Sequence, residues 1–312
     1  METKKNITKK EIYSWAFYDW ANSAFATTVM AGFFPIFFKS FWAGDLSGTE
    51  SSAWLGTANS IAGFAIVIVA PFLGALADIS HKKKFSLGFF AFIGIIATAS
   101  LFFIAQGEWF TAMIVYAIAC IGFSGGNIFY DSLIINVSSE ESRNRVSALG
   151  YSLGYLGGGF LFVLNVAMYL YPASFGLQSI TDAVLFSFLS VSIWWAIFSI
   201  PLFKFVKEDR FDKKSIQSSQ LFIESFRRVI TTFRDIRKYR KLSLFLIAYW
   251  LYIDGVDTVV RMALAFGSDI GLASSDMILA LIITQFVGFP ATIIYGFLGD
   301  RLGLRLMLSI GL

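Results

Sequence analysis

The chain has 312 residues, of which 56% are hydrophobic and only 15% charged, against about 25% charged in soluble domains. With a mean hydropathy of +0.68, this excludes an ordinary soluble protein. The net charge of +4 falls in loops between apolar runs, so no nucleic-acid partner is expected and the loops read as one surface of a membrane protein.

A spanning helix needs about 20 mostly apolar residues. The sequence predicts eight, near Ser14–Phe41, Ala53–Ala77, Phe85–Ala105, Trp109–Val137, Val146–Tyr171, Asp182–Val206, Leu242–Phe266 and Met277–Leu298. The residues before Ser14 are polar and basic, and the run after them is too long for a signal peptide. A ninth run begins at Leu306 and stops at Leu312. The chain therefore reads as truncated, with the rest of a ninth helix and three more expected beyond it.

All but two of the 25 Lys and Arg residues lie before the first span, after the eighth, or in every second loop between. The alternate loops, 44–52, 106–108, 172–181 and 267–276, contain none. The positive-inside rule then places the N-terminus in the cytoplasm, with six spans, a long inner linker and a second half. Lys39 and Arg261 are the exceptions, and both sit within or at the end of a span.

In the linker, Phe222, Phe226, Val229, Phe233 and Ile236 recur on one helical face, with Arg227, Arg228, Arg234, Arg237 and Lys238 around it. Such a basic amphipathic helix suits an anionic leaflet or the underside of the bundle, and periodicity does not separate the two. Span five carries Gly150, Gly154, Gly157, Gly158 and Gly159. A nucleotide loop would need a preceding strand, so close helix packing in lipid is expected instead. Cys120 is the single cysteine, so no intrachain disulfide forms, and the single His81 makes no metal site. No cofactor signature and no nucleophile–base set is visible, so the chain is not read as an enzyme.

Charges at membrane depth are rare and usually functional. Span one holds Asp19 with Asn22 and Ser23, span four holds Asn127, Tyr130 and Asp131, and span seven holds Asp254, Asp257 and Arg261. Each set shares one helical face. The expectation is that all three sets face a central cavity. Arg261 should pair with Asp257 at i−4, leaving Asp254 without a charged partner on its own helix and therefore the proton carrier. Asp257 and Arg261 would order the site or bind a zwitterion. The structural alternative is that the acids cap neighbouring helices or form a buried clasp.

Two stretches repeat a pattern. Gly74-Ala75-Leu76-Ala77-Asp78 is followed by Lys82, Lys83 and Lys84; Gly296-Phe297-Leu298-Gly299-Asp300 is followed by Arg301, Gly303 and Arg305. Each follows an apolar run, and the composition suits a tight turn at the membrane surface. The first copy has Ser80-His81 where the second has Gly303. The pattern resembles the signature loop of each half of major facilitator superfamily transporters. Tyr18-Asp19-Trp20-Ala21-Asn22-Ser23, the stretch Arg145–Gly159 and Asp254-Gly255-Val256 resemble a narrower branch, the unidentified major facilitator family that includes autophagy-related vacuolar amino-acid effluxers.

The resemblance implies an all-α major facilitator fold, here truncated. Residues 1–206 would form an N-terminal six-helix bundle, 207–241 a cytoplasmic linker, and 242–312 an incomplete C-terminal bundle. It implies a monomeric multi-pass protein of a plasma or inner membrane, without cofactor. The protein would be a secondary transporter working by alternating access and coupled to protons, exporting amino acids or similar small solutes. Drug or lipid export is the alternative, favoured by an aromatic cavity, and a non-transporting scaffold or receptor is the other. In the family, the signature Asp of each half braces a helix of the opposite half. Asp300 is therefore expected near Arg143, Arg145 or the amides around Ser147, and Asp78 at a helix outside this chain.

Overall fold

A computed structural model describes residues 7–80, 82–208 and 218–311; the side chains of 76–80, 218–224, Arg228, Phe233 and Leu304 lie outside the description. All regular structure among the described residues is helical. The helices are α1 Lys9–Trp42, α2 Gly48–Ser80, α3 Lys83–Ser100, α4 Trp109–Ser132, α5 Arg143–Leu170, α6 Ile180–Phe205, α7 Ser218–Ile236, α8 Arg240–Asp269, α9 Ser274–Leu302 and α10 Leu304–Gly311. Eight of them are long and apolar enough to cross a membrane; α7, in the linker, and α10 are not among these.

Every expected span is found, and most reach further at the basic ends, to Lys9, Lys83, Arg143 and Arg240. Long charged side chains can lie along a helix and keep their heads at the surface. Helix α1 starts on a capping box: Thr8 Oγ1 accepts from the Glu11 amide at 3.3 Å, and Glu11 Oε2 accepts from the Thr8 amide at 3.0 Å. Further on, α1 widens into π-helical turns over Phe25–Phe33 and Phe38–Trp42, where the Phe34 amide bonds Val29 O and the Ala43 amide bonds Phe38 O. Pro35 lies between these segments and supplies no N–H. The wide turns re-aim the aromatic side chains of this half relative to the Asp19 face.

The core lies in the first six helices, where Trp42, Trp195, Tyr18, Tyr116, Phe25 and Phe34 are fully buried. Lipid gives helices no hydrophobic reason to associate, so small residues and shape decide. Between α3 and α4, a Cβ on Gly122 would lie 2.4 Å from Gly94 N. Between α1 and α6, Trp20 stacks on Trp194 at 5.7 Å, and Trp194 Nε1 donates to Trp20 O at 3.2 Å.

The basic loops share one face. Lys10 Nζ lies 3.5 Å from the centroid of the Phe205 ring, Lys84 Nζ donates to Phe203 O and Val206 O, and Lys83 Nζ donates to Ser132 O. We call this the N-terminal face. On the opposite face, Trp42 Nε1 donates to Ile104 O, and Trp54 packs on Trp109.

The signature stretches differ from expectation. Gly296 to Leu302 remain helical in α9, and the turn comes only at Gly303, with φ +84° and its amide on Gly299 O at 3.2 Å. Asp and Arg tolerate helix well enough, whereas this φ favours glycine, so the stop falls there. In the first copy the helix runs on to Ser80. Gly74 has open space around it and Lys82 is exposed, while the side chain of Asp78 lies outside the described residues.

Candidate transport pathway

Where α1, α4 and α5 meet, two of the three expected polar sets come together. Asn22 Nδ2 donates to Asn127 Oδ1 at 2.6 Å, tying α1 to α4. Trp15 stacks on Tyr130 at 4.5 Å and donates from Nε1 to Tyr130 O, and Tyr18 lies 5.0 Å from the same ring. Asp19 is half-buried and Asp131 exposed, and the two carboxyls interact electrostatically. Tyr151 of α5, 58% exposed, lies in the field of both.

The glycines of α5 make this corner. A Cβ on Gly154 would lie 2.7 Å from Ser23 Oγ and 3.5 Å from Asp19 Cγ; one on Gly150 would lie 3.0 Å from Tyr130 Oη; one on Gly157 would lie 2.5 Å from Trp20 O. Their role is close packing of α1, as expected, and the packing sets the surroundings of Asp19.

The third set is on α8. Arg261 Nη2 donates to Asp257 Oδ2 at 3.5 Å, at the outer limit of a hydrogen bond. Arg261 has 14% of its side chain exposed and Asp257 62%. The three residues therefore do not share one environment. Arg261 leans onto α4 against Tyr116 and Cys120, while Asp254 and Asp257 stay exposed. The length of the Arg side chain makes the difference, because it crosses to the next helix where Asp cannot. Tyr116 Oη donates to Asn59 Oδ1 at 3.1 Å, which brings α2 into the same network. Sequence reasoning missed Asn59, Tyr116 and Tyr151, which are single polar groups in apolar runs without a spacing signal.

Two seams join the first six helices to α8 and α9. Along α5 and α9, Gly159 meets Gln285, Gly288 meets the Tyr155 ring, and Gly296 meets Ala148. This seam ends at the N-terminal face, where Arg145 Nε donates to Asp300 Oδ2 at 2.6 Å and Asn144 Nδ2 to Asp300 Oδ1 at 3.4 Å. Asp300 therefore lies where the resemblance implied. Arg301 turns over the Phe297 ring instead, and Arg305 is exposed. The other seam closes at the opposite face: Lys39 Nζ bonds Asp269 Oδ1, Ser52 Oγ donates to Asp269 Oδ2 at 2.7 Å, and Lys39 Nζ donates to Ser52 Oγ at 2.9 Å. This clamp was not anticipated, although Lys39 as an exception to the charge bias was its visible trace.

Beside that clamp, α1, α5, α6 and α9 diverge around a crevice of about 340 Å³ lined by Phe33, Phe37, Phe41, Tyr169, Val184 and Ile278 among others.

The description "vacuole effluxer Atg22 like" belongs to a family model that matches residues 7–53, 49–135 and 135–311. The uncharacterized MFS-type transporter YxiO of Bacillus subtilis is 40% identical over 310 residues, 99% of this chain and 72% of that protein. Autophagy-related protein 22 of Yarrowia lipolytica is 23% identical over 140 residues, 39% of this chain and 23% of that protein. Among solved structures, a D-xylose-proton symporter superposes with a TM-score of 0.61 at 16% identity, covering 93% of this chain and 69% of its own. A partially occluded inward-open form of the xylose transporter XylE from E. coli gives 0.60 at 18% identity, covering 94% and 74%.

Proposed function

The chain belongs to the vacuole effluxer Atg22-like family of major facilitator transporters, and from that premise we propose that it exports amino acids or similar small zwitterions in exchange for protons by alternating access. The observation that carries this reading is the pairing of Arg261 with Asp257 on α8. A substrate carboxylate can replace that of Asp257 on the guanidinium, and the freed Asp257 can then take the substrate ammonium. An exchange of partners costs less than baring a charge in a low-dielectric site.

Asp254 is the proton carrier in this scheme. It lies on the same helix, is exposed, and its side chain makes no hydrogen bond or ion pair among the described residues. The N-terminal face is the cytoplasmic one, and the Arg145–Asp300 and Lys39–Asp269 clamps are the two gates. The similarity to an autophagy-related protein and the fold shared with a D-xylose-proton symporter support this class of transport.

The test is exchange and pH-driven flux of radiolabelled amino acids in proteoliposomes. Asp254→Asn should abolish pH-driven transport and retain exchange without a proton gradient. Wild-type pH dependence in that variant overturns the assignment. The aromatic crevice beside the opposite-face clamp favours a second reading, export of apolar solutes. It predicts that hydrophobic drugs, rather than amino acids, compete for flux.

A further inference from the structure

The linker helix α7 takes no part in the transport scheme, and its surface divides into two sides. Ser225 is buried, and Val229 and Ile236 are half-buried; at 100° per residue the three fall within about 40° of arc. The helix packs on α2, and Phe226, beside this stripe, stacks on Phe72 at 5.4 Å. The underside of the bundle therefore accounts for one side of α7 only.

The other side carries a groove of about 390 Å³ lined by Phe226, Arg227, Ile230, Thr231 and Arg234. Going round the helix away from the buried stripe, Phe226 and Ile230 come first, 48% and 49% exposed. Arg234, Arg227 and Thr231 follow, all exposed. An apolar wall thus gives way to two guanidinium groups and a hydroxyl. Arg227 and Arg234 are seven residues apart, close to two full turns, so they share a face about 10 Å apart with Thr231 between their levels. Two guanidinium forks and a hydroxyl donor match the oxygens of a phosphate.

The surroundings favour a phosphate held in a membrane. From Ser225 to Lys241 the sequence carries seven basic residues and one acid, Asp235, which pairs with Lys238 at 2.7 Å. Basic residues beside a bilayer attract anionic lipid. Phe72 fixes the height of the groove. The apolar run of α2 ends at Ala77, and Asp78 is its first charge after Glu50. Phe72 precedes Asp78 by six residues, about 9 Å along the helix, comparable to one headgroup layer. Phe226 therefore stacks at the edge of the hydrocarbon, and the arginines beside it stand at the level of the headgroups.

We propose that this groove binds an anionic phospholipid, with the headgroup phosphate on Arg227, Arg234 and Thr231 and the start of the acyl chains against Phe226 and Ile230. A soluble phosphate ester would leave the apolar wall unused. The site does not involve the transported solute, so it stands or falls separately from the amino-acid reading.

The experiment titrates phosphatidylglycerol or phosphatidylcholine, with the same acyl chains, into the full chain purified in detergent, and reads lipid-induced thermal stabilisation. Phosphatidylglycerol should bind about thirtyfold more tightly, the worth of two arginines near an anionic surface. Arg227→Gln combined with Arg234→Gln should bring the two lipids within about threefold of each other. Arg237→Gln combined with Lys238→Gln removes the same charge outside the groove and should leave the preference nearly intact. Arg234→Gln alone, at an exposed position, carries the test if the double variant fails to fold, and should remove about half of the preference on a logarithmic scale. Equal binding of the two lipids by the wild type, or an equal loss in both double variants, overturns the proposal. Stabilisation as strong by glycerol 1-phosphate would make the groove a site for a soluble phosphate, and as strong by oligoglutamate a site for an acidic protein; either result overturns it too.

Discussion

The two clamps between the first six helices and the later ones are built alike and buried oppositely. Each uses an aspartate at or near the C-terminus of its own helix, Asp269 on α8 and Asp300 on α9. That is the unfavourable end of the helix dipole for an anion, so each carboxylate gains from a cation on the other side of the seam. At the opposite face the cation is the covered partner: Lys39 has 11% of its side chain exposed and Asp269 38%. At the N-terminal face the carboxylate is covered: Asp300 is 17% exposed and Arg145 67%. Separating the first pair leaves a covered ammonium with only Ser52 Oγ, which is costly. Separating the second leaves an arginine already in water and a carboxylate that gains water as the seam opens, so it costs less than the first. The N-terminal face should therefore open more readily, and the opposite face should act as the stiffer gate.

This asymmetry can be broken in graded steps. Asp269→Lys sets two ammonium groups against each other and should cost several kcal/mol at that seam. Cysteines placed at Ser274 should then label much faster with a membrane-impermeant thiol reagent. Lys39→Asp combined with Asp269→Lys should restore the slow rate; no restoration would mean that the pair does not hold the gate.

Gly296→Val tests the α5–α9 seam by volume instead of charge. A Cβ there would lie 2.3 Å from that of Ala148, so overpacking should cost about 1–3 kcal/mol and lower the melting temperature. Gly299→Ala is the matched control, with nothing within 4 Å. Equal losses in both variants would show that this contact is not what holds α9 to α5.

Asp300→Asn should have the smallest effect, about 0.3–1 kcal/mol, because it removes one charge from an exposed partner and from the start of α5 while Asn144 stays within hydrogen-bond reach. Labelling at the N-terminal face should rise modestly, and the remaining salt sensitivity of the wild-type pair should vanish. An effect as large as that of Asp269→Lys would remove the distinction between the two gates.

Much of the molecule was legible in order along the chain. The eight spans, the shared face of the basic loops, the packing role of the span-five glycines and the approach of Asp300 to α5 all follow from composition, from charge bias or from a motif. Each of these is a local or periodic property. Lys39 marks where that legibility ended: as a basic residue on the wrong side it signalled a partner, but not which one.

The sequence by itself determined an all-helical membrane protein of eight spans, with a repeated motif and acids at membrane depth, because hydropathy and the cost of buried charge act residue by residue. Only the tertiary structure decided that Asp269 answers Lys39, that Arg261 leans onto Tyr116 and Cys120 while Asp254 and Asp257 stay exposed, and that Asn22 bonds Asn127. Those outcomes depend on which helices the glycines let approach and at what height. Distances between residues 100 or more positions apart, such as the 230 between Lys39 and Asp269, are fixed by packing and leave no period in the sequence.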